Sequence, residues 1–322
     1  MFIVNSYQRM HSGLKFLRRT PTLAEAFKIK MEQFERDGKV NSYYRVRSAK
    51  RAFERYGGPD IHFGDITPEW LAACDRHWRA EGKSTTTIVI YMKALKVEMN
   101  EMMRQGLLKP EDFPFGRGRY EMPSPKARKM ALNKEQIKEI ALYQGNRTIE
   151  RYRDLWLFSY LCNGINFRDM LFLRYRNVCG DEIVFYRSKT EHSLQSAREI
   201  RAAFTPAMRQ IIARWGNPFD GNLDTFLFKY AKGNEADFEI NALVRKVTSL
   251  CNRQLKRLAE TLDIPEFTTY SARHSFATIL NRNGVDIKYI SDCLGHSSIK
   301  MTETYLAGFT ENDRKKYSKM LL

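Results

Sequence analysis

The sequence predicts a mainly α-helical protein with a small β-sheet, in which an N-terminal helical domain precedes a C-terminal α+β domain. Apolar residues recur at helical spacing through most of the chain, and strand-like segments cluster near residues 182–204. The stretch at 113–130 carries three prolines and two glycines, so it separates two helical regions. With 322 residues and 43% hydrophobic content, the chain has enough apolar material for two cores. We expect an N-terminal tail at 1–20, a helical domain at 21–112, a linker at 113–130, a second domain at 131–309 and a C-terminal tail at 310–322.

Four or five helices are predicted in the first domain. Thr22 and Glu25 have the spacing of a capping box at the start of the first helix, and the Gly-Gly pair at 57–58 ends the second. The Thr-Pro-Glu sequence at 67–69 begins another helix, and Ser84 precedes the longest one. Each of three helices has an apolar face. In the first helix it is formed by Leu23, Phe27, Met31 and Phe34, and in the second by Val46, Ala49, Phe53 and Tyr56. In the long helix after Ser84 it is formed by Ile88, Met92, Leu95, Met99 and Met102.

The second domain opens with a helix for which Asn133 is the expected cap. Two strands around a turn are predicted at 182–190 and 198–204, so the sheet is a hairpin or has three strands. The remaining pattern is helical, with predicted helices at 151–161, 167–175, 206–215, 239–262, 270–284, 286–294 and 298–306.

The formal net charge of +17 implies a polyanionic partner, for which nucleic acid is the first candidate and a merely basic enzyme the alternative. The linker is the densest region, with five basic residues and one acidic residue in eighteen. This density favours contact with the phosphates of double-stranded DNA over a plain solvated hinge. The basic residues expected to contact DNA are Arg45, Arg47, Lys50 and Arg51 of the second helix, Lys83, and Arg117, Arg119, Lys126 and Arg128 of the linker. For any single one of them, a solvated charged face is the alternative.

The cysteines and the apolar runs indicate the cell compartment in which the protein is expected. No apolar run reaches the ~18 residues of a membrane span, and the opening Met-Phe-Ile-Val is too short for a signal-peptide core. Five scattered cysteines without a Cys-x-x-Cys pair argue for reduced thiols and against a zinc site or a disulfide framework. We therefore expect a protein of the bacterial cytoplasm, associated with the nucleoid and not with a membrane.

Three short motifs near the C-terminus carry the chemistry. They are Tyr270-Ser-Ala-Arg273-His274, Leu294-Gly-His296 and Thr302-Glu-Thr-Tyr305. A tyrosine hydroxyl can attack phosphorus and store the bond energy as a phosphotyrosine ester, while arginine and histidine donate to the non-bridging oxygens. This segment closely resembles the C-terminal motif of tyrosine site-specific recombinases, the family of integrases and invertases. The resemblance covers roughly residues 20–310.

The resemblance implies a role for each motif residue. Tyr305 matches the family's nucleophile, nine residues after His296 of the Leu-Gly-His motif. Arg273 matches the arginine of the family's His-x-x-Arg element and would clamp the scissile phosphate, to which His296 would also donate. Lys189, at the tip of the predicted hairpin, matches the lysine that acts as general acid for the leaving 5′ oxygen; an ordinary hairpin lysine is the alternative. We interpret His274 as a packing residue.

The resemblance also implies the domain roles and the assembly. A helical core-binding domain would clamp DNA opposite the α+β catalytic domain, and four protomers would form a tetramer on two duplexes. No metal, nucleotide or other cofactor is called for, because the ester keeps the bond energy. The apolar end of the tail at 313–322 would dock on a neighbouring protomer, or pack on its own domain. An accessory DNA-bending protein is left open.

Two positions depart from the family pattern. Tyr270 stands where His-x-x-Arg has its histidine, and it can donate one hydrogen bond to a phosphate oxygen. Asn166 stands where the first catalytic arginine is expected. Arg168 would point about 200° away from residue 166 on a helix. Arg187 is the predicted substitute, since residues two apart in a strand share a face and Arg187 would project with Lys189; an exposed strand arginine is the alternative.

These motifs predict a DNA recombinase of the mobile-element branch of integrases and invertases. Each active site would cut one strand through a 3′-phosphotyrosine at Tyr305, for integration, excision or inversion. Two alternatives stand beside this function. One is DNA relaxation by an enzyme of the type IB topoisomerase kind, and the other is a catalytically impaired DNA-binding protein of the same fold. The joint presence of Tyr305, Arg273, His296 and Lys189 speaks against the second alternative.

Overall fold

The computed structural model describes residues 20–125, 131–188, 198–306 and 318. The chain divides into two compact units, with the boundary between residues 126 and 127. The described residues are mostly helical and include a three-stranded sheet, so the predicted fold class is confirmed. No helix in these ranges is long and apolar enough to span a membrane.

The first unit is helical throughout its described residues. Its helices are α1 (Leu23–Arg36), α2 (Val40–Gly57), α3 (Pro68–Ala80) and α4 (Thr85–Arg104), with short 3-10 turns at Phe63–Asp65 and Pro110–Asp112. The capping box is confirmed, because the Thr22 side chain accepts from the backbone of Glu25 and the Glu25 carboxylate accepts from the backbone of Thr22. Ser84 likewise caps α4 through the backbone N–H of Thr87.

Aromatic side chains fill the centre of this unit. The Phe53 ring lies 5.1 Å from the Trp78 ring and 5.8 Å from the Trp70 ring, measured between centroids. Phe115 and Tyr120 are buried in the same core, and the Tyr120 hydroxyl donates to Asp75 at 3.0 Å. The first ten residues of the predicted linker therefore pack with this unit.

The second unit surrounds a small antiparallel sheet with helices. Its elements are α5 (Lys134–Leu142), α6 (Arg147–Leu161), α7 (Phe167–Leu171), β1 (Val178–Cys179), β2 (Glu182–Tyr186), β3 (Glu199–Ala203), α8 (Pro206–Trp215), α9 (Asp237–Leu262), α10 (Ser271–Arg282), α11 (Ile287–Cys293) and α12 (Ile299–Glu303). The strands are ordered β1-β2-β3, with Ile183 paired to Ala202 and Phe185 to Ile200 on the buried face. Asn133 caps α5 as predicted.

Several predicted elements were too long, among them the helix expected at 298–306, which ends at Glu303. The helix expected at 167–175 ends at Leu171, because Arg174 adopts an extended conformation (φ −114°, ψ 167°) and bridges to Phe226. The strand expected at 182–190 ends at Tyr186, the last residue that pairs with β3. Arg187 therefore lies beyond the strand, and the prediction that placed it in the strand was wrong.

Helix α6 ties the start of α10 to the core. Trp156 is buried, and its ring nitrogen donates to the backbone carbonyl of Thr268 at 3.0 Å and to the Ser271 hydroxyl at 3.2 Å. The Ser275 hydroxyl accepts from the backbone N–H of Leu132 at 2.9 Å. These contacts fix the segment that carries the Tyr270 and Arg273 side chains.

Candidate active site and nucleic-acid surface

The three C-terminal motifs meet at one place in the second unit. Arg273 comes from the first turn of α10, His296 from the turn after α11, and Tyr305 from the residues that follow α12. The Tyr305 ring lies 4.9 Å from the His296 ring and 5.4 Å from the Arg273 guanidinium. The residues predicted to act on phosphorus are thus neighbours in space.

Arg273 is a buried cation with 3% of its surface exposed. Its Nη1 donates to the carbonyl of Gly164 at 3.1 Å, and its Nη2 donates to the carbonyl of Leu294 and lies 3.0 Å from His296 Nε2. Burial and then the charge of Arg187 lower the pKa of Arg273 to about 10, so the guanidinium stays protonated at neutral pH.

A glycine is required where the chain passes Arg273. Gly164 has a φ of 64°, and a Cβ placed there would lie 2.6 Å from the Cα of Arg273. Both the left-handed conformation and this close approach exclude a side chain. The loop that contains Gly164 therefore packs directly against Arg273 and holds it in place.

His296 is enclosed by the same groups. Its Nδ1 lies 2.9 Å from the Thr302 hydroxyl, and only 1% of the residue is exposed. Burial, followed by the charges of Arg273 and Arg187, lowers the pKa of His296 to about 3. The imidazole is therefore neutral at physiological pH in the DNA-free site.

The Tyr305 segment is anchored through its backbone as well as its side chain. The carbonyl of Tyr305 accepts from His274 Nδ1 at 3.1 Å and from the Thr278 hydroxyl at 3.3 Å. The Tyr305 hydroxyl is hydrogen-bonded to the hydroxyl of Tyr270. His274 was interpreted as a packing residue from the sequence, and its hydrogen bond to the Tyr305 carbonyl is the contact that the sequence did not reveal.

Tyr270 lies just before α10, and 43% of its surface is exposed. Partial burial and the hydrogen bond with Tyr305 raise the pKa of the Tyr270 phenol, so it keeps its proton at neutral pH. Its hydroxyl thus contacts the hydroxyl of Tyr305, the predicted nucleophile. The sequence pattern did not indicate this contact.

Arg187 reaches the site from beyond the end of β2. Its Nη1 lies 3.5 Å from the carbonyl of Leu294 and 3.3 Å from that of Gly295. Arg187 and Arg273 therefore contact the same Leu294 carbonyl. Arg168 makes no hydrogen bond or ion pair with any other described residue, and Asn166 occupies the N-cap of α7 without a side-chain capping bond.

An acidic residue anchors the chain next to the predicted general acid. Asp169 Oδ1 accepts from the backbone N–H of Ser188 at 3.1 Å and from its hydroxyl at 2.7 Å. Lys189, the next residue, lies outside the described residues. The contact with Asp169 joins positions 19 apart in sequence, so no local pattern could have identified it.

The basic residues of the first unit line two clefts. Arg51 lines a cleft of about 240 Å³ together with Arg55 and Lys83. Arg45 lines another, of about 390 Å³, with Lys30 and Lys93. The larger cleft collects positive charge from three helices, and the smaller one from α2 and the loop between α3 and α4; Glu98 also lines the larger cleft and Glu81 the smaller.

The other predicted DNA contacts differ in their surroundings. Lys50 is paired with Glu54, and the Arg47 guanidinium lies 5.9 Å from the centre of the Tyr44 ring. Arg117 and Arg119 are exposed, and Arg119 also donates to the carbonyl of Phe113. Lys126 and Arg128 lie outside the described residues. No group of three or more His, Cys, Asp or Glu side chains suited to a metal ion occurs in the described parts of the chain.

Comparison with known families matches both units. The model of the phage integrase family matches residues 131–311, which is 181 of the 322 residues. The model of the phage integrase SAM-like domain matches residues 22–122.

Curated relatives match over part of their length. The chain is 35% identical over 103 residues to the tyrosine recombinase XerC of Rhodospirillum centenum, covering 31% of this chain and 27% of that protein. It is 30% identical over 117 residues to the XerC of Brucella melitensis, covering 35% and 34%. The chain therefore spans about a third or less of the length of these relatives.

Solved structures share the fold across nearly the whole chain. The integrase of the Tn1549 transposon in complex with a circular intermediate DNA has a TM-score of 0.65 at 16% identity, covering 93% of this chain and 99% of that one. A lambda integrase dimer bound to a COC′ core site has a TM-score of 0.62 at 15% identity, covering 96% and 81%.

Proposed function

The chain belongs to the phage integrase family, and from that premise we propose that it is a site-specific DNA recombinase that breaks and rejoins strands through a 3′-phosphotyrosine at Tyr305. The observation that carries the proposal is the convergence of Arg273, His296 and Tyr305 at one site. Its relatives named as tyrosine recombinases, and the DNA-bound integrases that share its fold, support the same function.

Each step of the proposed reaction can be assigned to a residue of this chain. The Tyr305 oxygen bonds to phosphorus and passes its phenol proton to a water molecule, while the bond from phosphorus to the 5′ oxygen breaks and that oxygen leaves with a proton from Lys189. Arg273 stabilises the charge on the non-bridging oxygens in the transition state. Tyr270 keeps its proton and touches the Tyr305 hydroxyl, so it donates to the phenolate as that charge develops. Attack by the 5′-hydroxyl of a partner strand then releases Tyr305.

Arg187 supplies the positive charge that the expected arginine at position 166 would carry and that Asn166 lacks. Its guanidinium shares the Leu294 carbonyl with Arg273, so both guanidinium groups face one location. The charges of both arginines also act on His296. A second fork of donors beside Arg273 suits the planar charge distribution of a phosphoryl group.

The proposal extends to the partners. The basic clefts of the first unit and the exposed arginines at 117 and 119 bind the phosphates of double-stranded DNA. Exchange between two duplexes requires four active sites and hence a tetramer on DNA. The reaction needs no cofactor, because each ester keeps the energy of the bond it replaces. Integration, excision and inversion all use this same chemistry.

Tyr305→Phe tests the proposal directly. The variant should bind target DNA as the wild type does, because the substitution removes one hydroxyl and leaves the cationic groups in place. On a nicked suicide substrate, the wild type should form a covalent protein–DNA band in denaturing gels and the variant none. A covalent band from the variant would assign the nucleophile elsewhere.

The wild-type result also separates the alternatives. A catalytically impaired DNA-binding protein would bind the substrate but form no adduct. An enzyme that relaxes supercoiled plasmid without a defined target sequence would indicate topoisomerase activity instead of recombination.

A further inference from the structure

A buried chain of hydrogen bonds runs from Arg273 through His296 to Thr302. Arg273 Nη2 lies 3.0 Å from His296 Nε2, and His296 Nδ1 lies 2.9 Å from the Thr302 hydroxyl. The three residues have 3%, 1% and 0% of their surfaces exposed. Thr302 is therefore a fully buried hydroxyl whose side chain contacts the imidazole.

The chemistry of the groups fixes the direction of these bonds. A guanidinium only donates, so His296 Nε2 must accept from Arg273. A neutral imidazole that accepts at Nε2 carries its proton on Nδ1. His296 therefore donates from Nδ1, and the Thr302 hydroxyl accepts.

We propose that Thr302 is a positioning residue that holds the imidazole by accepting from Nδ1–H, so that Nε2, the nitrogen beside Arg273, is the one that faces the scissile phosphate. This inference rests on the proposed function of the site. When a phosphate oxygen enters beside Arg273, its negative charge offsets the arginine charges. Nε2 then gives up the hydrogen bond from Arg273, takes one proton from the solvent and donates it in a hydrogen bond to that oxygen, while Nδ1–H stays on Thr302.

The location of Thr302 couples this ring to the nucleophile. Thr302 lies in α12, and its backbone carbonyl accepts from the backbone N–H of Tyr305 at 2.9 Å. One backbone hydrogen bond thus links the residue that contacts His296 Nδ1 to the proposed nucleophile.

Three variants of the full chain test the role of Thr302. Thr302→Val keeps the shape of the side chain and removes the acceptor, so cleavage of a suicide substrate should slow by about tenfold or more, the scale of one lost buried hydrogen bond. Thr302→Ser keeps the hydroxyl and should cleave within about threefold of the wild type. Thr304→Val is the matched control, because Thr304 is exposed and its hydroxyl donates to the carbonyl of Met301 in the same segment.

Nitrogen-15 NMR of the ring of His296 provides a readout that does not need cleavage. In the DNA-free wild type, Nδ1 should have the shift of a protonated nitrogen and Nε2 that of an unprotonated one. Thr302→Val should move the Nδ1 shift, because the Nδ1–H loses its acceptor, while Nε2 should stay unprotonated opposite the Arg273 donor. This measurement tests the inference even if no adduct forms and the proposed function fails.

Three results would overturn the inference. The first is a wild-type spectrum with the proton on Nε2. The second is a Thr302→Val variant that cleaves as fast as Thr304→Val. The third is an equal loss from Thr302→Val in the His296→Ala background, since a residue that acts through the imidazole has nothing to position there.

Discussion

Arg273 and Arg187 bring two cations to one place in the second unit. Both guanidinium groups contact the carbonyl of Leu294, although the two residues lie 86 positions apart in the sequence. Two like charges so close disfavour each other, and this contributes to the lowered pKa of Arg273. An anion bound between the two guanidinium groups would offset that repulsion.

Arg187→Ala should lower the rate of cleavage by at least about 10²-fold, as loss of a transition-state donor typically does. Arg168→Ala is the matched control and should cost much less, because the Arg168 side chain makes no polar contact within the described residues. Single-turnover cleavage of a suicide substrate at saturating protein measures both. The reverse order of the two losses would place the substitute arginine at 168.

The buried imidazole of His296 should make stability depend on pH. Its pKa is about 3 in the folded chain against an ordinary value of 6.5, so between these values the unfolded chain binds a proton that the folded chain does not. The wild type should therefore lose stability as pH falls from 6.5 towards 3, by up to about 1.4 kcal/mol per pH unit from this residue. Above pH 6.5 this residue should have no effect on the pH dependence.

Urea unfolding of the wild type and of His296→Asn at several pH values measures this difference. The variant should show a shallower decline below pH 6.5, while other titrating groups, His274 among them, contribute equally to both proteins. Parallel curves for the two proteins would show that the pKa of His296 is the same in the folded and unfolded chains.

The site could be predicted from sequence as far as local motifs carry it. Arg273, His296 and Tyr305 were identified because each lies in a short pattern with its own chemistry, and the structure places them together. Thr302 and Asp169 were not identified, because their roles arise from side-chain contacts between separate segments. Whether these residues catalyse the reaction stays a prediction.

At the scale of elements, one arginine joins the helices α5 and α6. Arg153 is buried in α6, and its Nη1 donates to the carbonyls of Ile140, Ala141 and Tyr143 at the end of α5. Its Nε lies 2.7 Å from the buried carboxylate of Asp154. The arginine thus satisfies the last carbonyls of one helix and neutralises a charge of the other.

Arg153→Met should destabilise the second unit by about 1–3 kcal/mol, because it leaves the last carbonyls of α5 without a donor, while Asp154 keeps Arg214 at 3.1 Å and the Trp215 ring nitrogen at 2.7 Å. Arg257→Met serves as the control, since that arginine is exposed on α9. Chemical denaturation followed by tryptophan fluorescence compares the two. A loss no larger than that of the control would mean that Arg153 contributes nothing net to stability.

Some helix limits were predicted and others were not: the expected ends at 161, 215 and 262 agree with the structure, whereas the starts expected at 151 and 239 lie at Arg147 and Asp237. The caps at Thr22 and Asn133 are encoded by side chains within four residues of each start, and both are confirmed. The end of α7 at Leu171 depends on the bridge between Arg174 and Phe226, which lies 52 positions further along the chain. β2 likewise ends where its partner strand ends, so neither limit could be read from local periodicity.

At the scale of the whole molecule, the net charge of +17 should make DNA binding strongly dependent on salt. If the basic clefts and the linker neutralise roughly 6–10 phosphates, affinity should fall by roughly 10³–10⁵ between about 50 and 200 mM salt. Fluorescence anisotropy with a labelled duplex measures the slope. A flat profile would mean that the excess charge serves another purpose.

The contact between Tyr305 and Tyr270 has a consequence for the number of working active sites in an assembly of several chains. Arg273, His296, Arg187 and Tyr305 all come from one chain, and the hydroxyl of Tyr305 is hydrogen-bonded within that same chain. An active site built from one chain does not depend on whether the neighbouring chains are intact. In an assembly that mixes intact and inactivated subunits, the number of working centres would equal the number of intact chains, in direct proportion to their fraction.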